Sequence, residues 1–271
     1  IGANGAGKSN FVCFFSLLHE LVNGRLERAV NTGGGGDAHL FLGPRVTKKI
    51  VAHLQFGENG YRFELEPTVD NRLIFADERI QCAEDPPFTR AVSRSLGRGH
   101  SESKLEVQLK GGRNKAISQY IFDAVSSWTV YHFHDTSETA PMRRTCSVRD
   151  NERVRPDAGN LAAFLLRLKE EDSPVYELIC DTVRLVAPFF KQFLFRPRKA
   201  NGDEIVQLEW RQRNTDYPFH AGQLSDGTLR FVALATALLQ PTPPATILID
   251  EPELGLHPFA LNTLASLIRQ A

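Results

Sequence analysis

The sequence carries no net charge: its 32 Lys and Arg balance its 32 Asp and Glu. A chain so balanced has no whole-molecule attraction for nucleic acid, and any DNA contact would need a local patch. It also lacks an apolar run long enough for a transmembrane helix, and no charged-then-apolar leader is visible, so a cytoplasmic location is expected. The four cysteines, Cys13, Cys82, Cys146 and Cys180, form no C-x-x-C pair and read as reduced thiols rather than a disulfide framework or a zinc site. Internal repeats and sustained heptads are missing, which leaves no long coiled-coil arm within this stretch. No Asn-Lys-x-Asp guanine reader occurs either, which disfavours a GTPase.

What is present is informative from residue 2 onward. Gly2-Ala3-Asn4-Gly5-Ala6-Gly7-Lys8-Ser9 has the form G-x-x-x-x-G-K-[ST]. Glycines at this spacing let consecutive backbone N–H groups point at one phosphate, and the helix that follows adds its positive end. Asn4, Gly5, Ala6, Gly7, Lys8, Ser9 and Asn10 are the expected nucleotide-binding set, with Lys8 on the β/γ-phosphates and the Ser9 hydroxyl on Mg²⁺. Phe11 to Val22 reads as the buried helix after the loop. The strand expected before the loop is missing because Ile1 is the first residue, so the chain reads as a fragment cut at its first core strand.

Downstream, Asn31 to Asp37 reads as a flexible glycine loop. Lys49–Phe56, Tyr61–Glu66, Leu73–Ile80 and Leu105–Leu109 read as strands of an antiparallel β lobe, with a hairpin turn at Glu58-Asn59-Gly60. Glu84 to Ser103 reads as a surface loop. Trp128 to Phe133 is a buried-strand pattern ending in His132-Phe133-His134-Asp135. Helices are expected over Gly159–Lys169 and Pro174–Phe190, then a hairpin of Gln192–Arg198 and Ile205–Arg211 turned at Asn201-Gly202. The basic stretch of Arg143, Arg144, Arg149, Arg153 and Arg155 is either a solvated loop or a contact for a nucleic-acid backbone.

Ala245 to Glu251 is an apolar run ending in two carboxylates, as a strand buried on both faces requires at a ligand crevice. Asp250 would hold Mg²⁺ opposite Ser9, and Glu251 would polarise the attacking water as general base. Just upstream, Ser225 in Gln223-Leu224-Ser225-Asp226-Gly227-Thr228 can cap a helix, and Asp226 adds a favourable charge to its first turn. A helix start of this kind is an ordinary N-cap or a phosphate receptor.

The order of phosphate loop, Leu-Ser-x-Gly and Asp-Glu strand resembles ABC-type ATPases. More narrowly, Leu224 to Phe231, Asp250 to Pro258 and Tyr131 to Ser137 resemble the RecF-like, AAA_21 group of predicted bacterial ATPases. That group is related to the heads of RecF and the structural-maintenance-of-chromosomes proteins. The resemblance covers essentially the whole chain. It implies an α/β P-loop head with a mainly parallel core sheet, an antiparallel β lobe and a helical lobe, lacking here its first strand and its C-terminal core strands. Within one head over residues 1–271, residues 1–30 would hold the phosphate loop, 45–112 the β lobe, 113–137 the return to the core, 138–215 the helical lobe and 216–271 the signature helix and carboxylate strand.

The resemblance further implies ATP and Mg²⁺ as cofactors and two heads that sandwich two ATP molecules. Lys8, Ser9, Asp250 and Glu251 would act in cis, while Ser225, Asp226 and Gly227 would meet the partner's nucleotide in trans. His134 or Asp135 would act like the glutamine loop of such heads, against the readings of a metal site or plain loop packing for His132, His134 and Asp135. His257 lies where the family places a loop communicating across the dimer. Three functions compete: an ATP-driven switch on DNA in repair, recombination or defence; an ATPase that gates an effector such as a toxin or nuclease; and a transporter subunit, which the Glu253-Leu254-Gly255-Leu256-His257-Pro258 continuation disfavours.

Overall fold

The computed structural model describes residues 7–82, 92–111 and 114–270. They fall into two compact units, residues 1–129 and 130–271. Among the described residues no helix is long and apolar enough to cross a membrane.

In the first unit the helices α1 (Lys8–Val22) and α2 (Leu26–Thr32) precede an antiparallel meander, β1 (Ile50–Phe56), β2 (Asn59–Pro67), β3 (Leu73–Cys82) and β4 (Val92–Gly97). The short helix α3 (Leu105–Leu109) and α4 (Lys115–Ser126) complete it. Alternation along β2 turns Tyr61, Phe63 and Leu65 inward, where they pack with Phe75, with Leu18 and Leu21 of α1 and with Ile121 and Val125 of α4. The Glu78 carboxylate is buried yet well supplied: it accepts from the Tyr61 hydroxyl at 2.7 Å, the Ser103 hydroxyl at 2.6 Å and the Lys104 N–H at 3.0 Å.

Four expectations change here. Leu105–Leu109 is a helix, not a strand: Leu105 and Leu109 are one helical turn apart, Leu105 is buried and Val107 stays exposed, so the short alternation also fits period 3.6. Within Glu84–Ser103, residues 92–97 form β4 on the β3 edge; residues 84–91 of that expected loop lie outside the described residues. Phe56 pairs with Asn59, which moves the hairpin turn to Gly57-Glu58. The glycine run is anchored rather than free, because the Gly36 N–H donates to the Asn71 carbonyl at 2.7 Å and Asp37 N–H to the Asn71 side chain at 2.9 Å.

β5 (Trp128–Tyr131) leads into the second unit. There follow β6 (Cys146–Ser147), α5 (Leu161–Glu171), α6 (Ser173–Val186), β7 (Phe190–Leu194), β8 (Arg198–Ala200), β9 (Asp203–Val206), β10 (Glu209–Gln212), β11 (Pro218–His220), α7 (Asp226–Leu239), β12 (Thr246–Ile249) and α8 (Pro258–Gln270). The inner helix is α7, buried at every position from Leu229 to Leu238, with α5 nearly as enclosed. Its core continues into an aromatic cluster in which Phe190 and Phe193 lie 4.6 Å apart and Trp210 stacks on Phe219 at 4.8 Å. Asp172 caps α6, whose end comes at Val186 rather than Phe190; Ala187, held out of the helical region before Pro188, stops it.

The Asn201-Gly202 turn forms as read, both residues at positive φ, and joins β8 to β9. Beyond Pro197 the hairpin divides: β8 and β9 join β6, while β7 and β10 pair in a second sheet with β11. The arrangement is thus mixed α/β with several sheets. Where a mainly parallel core was expected, the described residues hold the two-stranded sheet of β5 and β12.

Candidate functional site

In the first unit the candidate residues stand at the start of α1. Asn4, Gly5 and Ala6 of the phosphate loop lie outside the described residues. Gly7 is the N-cap, in the left-handed region at φ 83°, where a side chain would be strained although no neighbour crowds it. Among the described residues no side chain caps the helix, and its first turn holds no acidic residue. A helix N-terminus carries the positive end of the helix dipole, which favours anions, and Lys8, Ser9 and the exposed Asn10 lie on this first turn.

In the second unit β12 delivers Asp250 and Glu251 into a sharp turn. The Asp250 N–H donates to the Tyr131 carbonyl at 3.3 Å, tying the turn to the end of β5. Glu251 adopts φ 44°, a strained conformation for a residue with a Cβ, and such strain collects at sites where a side chain must be aimed. Its carboxylate is half exposed, while that of Asp250 is more enclosed. The His134 imidazole stands between them, Nε2 3.6 Å from Asp250 Oδ2 and Nδ1 3.8 Å from Glu251 Oε2. Desolvation lowers the His132 imidazole below its usual range; Asp250 opposes the shift and His134 adds to it. Asp135 does not join this group. Its carboxylate accepts from the Ser137 N–H at 3.0 Å, and hydrogen bonding to Ser137 holds its pKa down.

The helix α7 starts as its sequence indicates. Ser225 is extended at the N-cap of α7, and its hydroxyl accepts from the Thr228 N–H at 3.2 Å and lies 2.8 Å from the Thr228 hydroxyl. A hydroxyl has one donor and two acceptor positions, so this cap leaves capacity for a further ligand. Ser225 and Asp226 border a cavity of about 740 Å³ with Ser137, Arg143, Gln207 and His220. Gly227 runs so close to the loop after Glu251 that it admits no side chain.

Two arginines organise these parts of the second unit: Arg230, to which the sequence assigns no role, and Arg143, which it offers only as one of a basic stretch. Arg230 is buried and donates Nε to the Phe133 carbonyl at 2.7 Å, one terminal nitrogen to the His134 carbonyl at 2.9 Å and the other to the Leu254 carbonyl. One guanidinium thus ties α7, the histidine segment and the loop after the carboxylates. Arg143 donates to the Ala221 carbonyl at 2.6 Å, the Thr136 carbonyl at 3.0 Å and the Asp226 carboxylate at 2.7 Å. It is buried, which removes it from the basic stretch considered for nucleic acid. The signal for Arg230 was its place on the apolar face of a helix, where a buried cation must find acceptors. His257 receives the Phe259 N–H on Nδ1 at 3.3 Å and so leads into α8.

The sequence profile of the family AAA_21, described as "AAA domain, putative AbiEii toxin, Type IV TA system", matches residues 1–271. No curated protein matches the chain significantly.

Proposed function

The chain belongs to the AAA_21 family of AAA-type P-loop ATPases, and on that premise we propose that it is a Mg²⁺-ATP-dependent switch whose heads dimerise on ATP and part after hydrolysis. The observation that carries this reading is the joining of Ser225, Gly227 and the Asp250-Glu251 turn into one assembly through Arg230 and the Gly227–Gly255 approach. Nucleotide phosphates would rest on the α1 end, with Asn4, Gly5, Ala6, Gly7, Lys8, Ser9 and Asn10 around them. Oxygen donors suit Mg²⁺, and the exposed Ser9 hydroxyl and the Asp250 carboxylate offer them. When bound, Mg²⁺ supplies charge neutralisation between the β- and γ-phosphates.

In this reading Glu251 orients and deprotonates the attacking water. Ser225, Asp226 and Gly227 meet the γ-phosphate held by a second copy. That contact exists only while ATP is intact, which gives hydrolysis its differential effect on the dimer. Residues 1–271 then act as one ABC-type head with a mainly parallel core sheet, and His257 communicates across the dimer.

The family description names a putative AbiEii toxin and a type IV toxin–antitoxin system, which supports a switch that governs a toxin, nuclease or other effector in defence. Action on DNA in repair or recombination rests on the resemblance to RecF, and a formally neutral chain adds no general attraction to it. Phosphate release from ATP tests the catalytic part. Lys8→Ala is expected to lose nucleotide binding, and Glu251→Gln to keep binding while slowing turnover about 10²–10⁴-fold. Turnover at the parental rate in Glu251→Gln contradicts the assignment.

A further inference from the structure

Two imidazoles and a carboxylate converge at the end of β5. His132 and His134 follow β5 two residues apart, and their rings lie 6.2 Å from one another. The segment is held at both points: the His132 N–H donates to the Pro156 carbonyl at 2.9 Å, and the His134 carbonyl accepts from Arg230 at 2.9 Å. Asp250 joins them from the neighbouring strand end. One ligand atom from each of His132, His134 and Asp250 lies within 4.8 Å of the other two.

We propose that His132, His134 and Asp250 bind one divalent first-row transition-metal ion, with Glu251 supporting His134 from behind. The proposal rests on the geometry of these four side chains and not on the ATPase reading.

The spacings suit an ion better than direct bonding. His134 Nε2 and Asp250 Oδ2 are 3.6 Å apart, too far for a hydrogen bond. Bonds of about 2.0–2.1 Å in a tetrahedral site put neighbouring ligand atoms about 3.4 Å apart, close to that separation. Closing the widest gap takes a side-chain movement of roughly 1 Å on that geometry.

The second ring nitrogen of His134 faces the Glu251 carboxylate at 3.8 Å. A carboxylate behind a ligating imidazole is how metal sites fix the ring and raise its basicity. Two nitrogens and one carboxylate favour Zn²⁺, Co²⁺ or Mn²⁺ over Mg²⁺, which prefers oxygen. Three protein ligands leave a fourth position open, and the exposed His132 gives the ion a way in. An ion here would share Asp250 with the Mg²⁺ of the proposed ATPase cycle.

The test is Co²⁺ titration of the chelator-treated chain, read by visible d–d absorption. The parent is expected to take up one equivalent with the strong bands of a tetrahedral site, and excess Mg²⁺ is expected to leave them unchanged. His132→Ala and His134→Ala should each abolish the bands, and Glu251→Gln should weaken binding about 10–100-fold. Because His132 is exposed, His132→Ala should unfold at the parental midpoint, which separates lost ligation from lost fold. Absence of the bands in the parent, their persistence in either histidine variant, or displacement by Mg²⁺ overturns the site. A chain that hydrolyses ATP but binds no Co²⁺ fails this inference alone, whereas one that binds Co²⁺ without nucleotide fails the ATPase reading alone.

Discussion

A Cβ placed on Gly227 would stand 2.4 Å from the carbonyl oxygen of Gly255. That separation is inside any non-bonded contact, and the obstacle is backbone rather than a movable side chain. The first turn of α7 and the loop after Glu251 therefore touch only because residue 227 has no side chain.

Gly227→Ala must push one of these segments away. The expected cost is about 1–3 kcal/mol of stability, as for overpacking elsewhere. ATP turnover should fall further than ATP binding, since the displaced parts are the signature helix and the carboxylate turn. Gly222→Ala, where a Cβ would meet nothing, serves as control and should stay within about 0.5 kcal/mol in denaturant unfolding.

Arg143 and Asp226 form an unequal pair: the arginine side chain is 8% exposed and the aspartate 65%. Solvent screens the aspartate, so a double-mutant cycle should return a coupling of about 1 kcal/mol or less. Arg143→Met should cost more than Asp226→Asn, about 2–4 kcal/mol, because it also strands the Ala221 and Thr136 carbonyls. Equal losses in the two single variants would show that the ion pair itself dominates.

Cys180 is fully buried, and burial pushes its thiol from the usual 9.0 up to about 11. Burial raises the neighbouring Tyr176 hydroxyl as well. A folded-state pKa above the unfolded one means the native chain holds its proton more tightly. This contribution to stability is complete below about pH 9 and declines as pH rises toward 11. Alkylation at mildly alkaline pH should modify the exposed Cys13 and leave Cys180 untouched until denaturant unfolds the chain. Rapid labelling of Cys180 in the native chain would contradict its placement.

Much of the site is visible in the sequence where its determinants are local. Ser225 caps a helix through a residue three positions on, Asn201-Gly202 turns a hairpin by its own backbone preference, and the Gly7-Lys8-Ser9 end opens α1 as read. The linkages between these pieces are not visible. Arg230 reaches a carbonyl 96 residues away and Arg143 a carboxylate 83 residues away, and no periodicity connects such pairs. The histidine segment shows the same limit: its residues suggested a site, but only the pairing of β5 with β12 brings His132 and His134, and not Asp135, to Asp250. Leu105–Leu109 failed for a different reason, since five residues are too few to separate a period of 2 from one of 3.6.

In the proposed cycle ATP joins two copies through Ser225. With Glu251 as the proposed base, Glu251→Gln is expected to slow hydrolysis and hold the nucleotide, so the mass of this variant in solution is measured by light scattering or sedimentation with and without Mg²⁺-ATP. The expected result is an ATP-dependent dimer that Ser225→Arg, added to Glu251→Gln, returns to monomer while ATP binding persists. A Glu251→Gln protein that binds ATP yet stays monomeric, or a dimer that Ser225→Arg leaves intact, would contradict it.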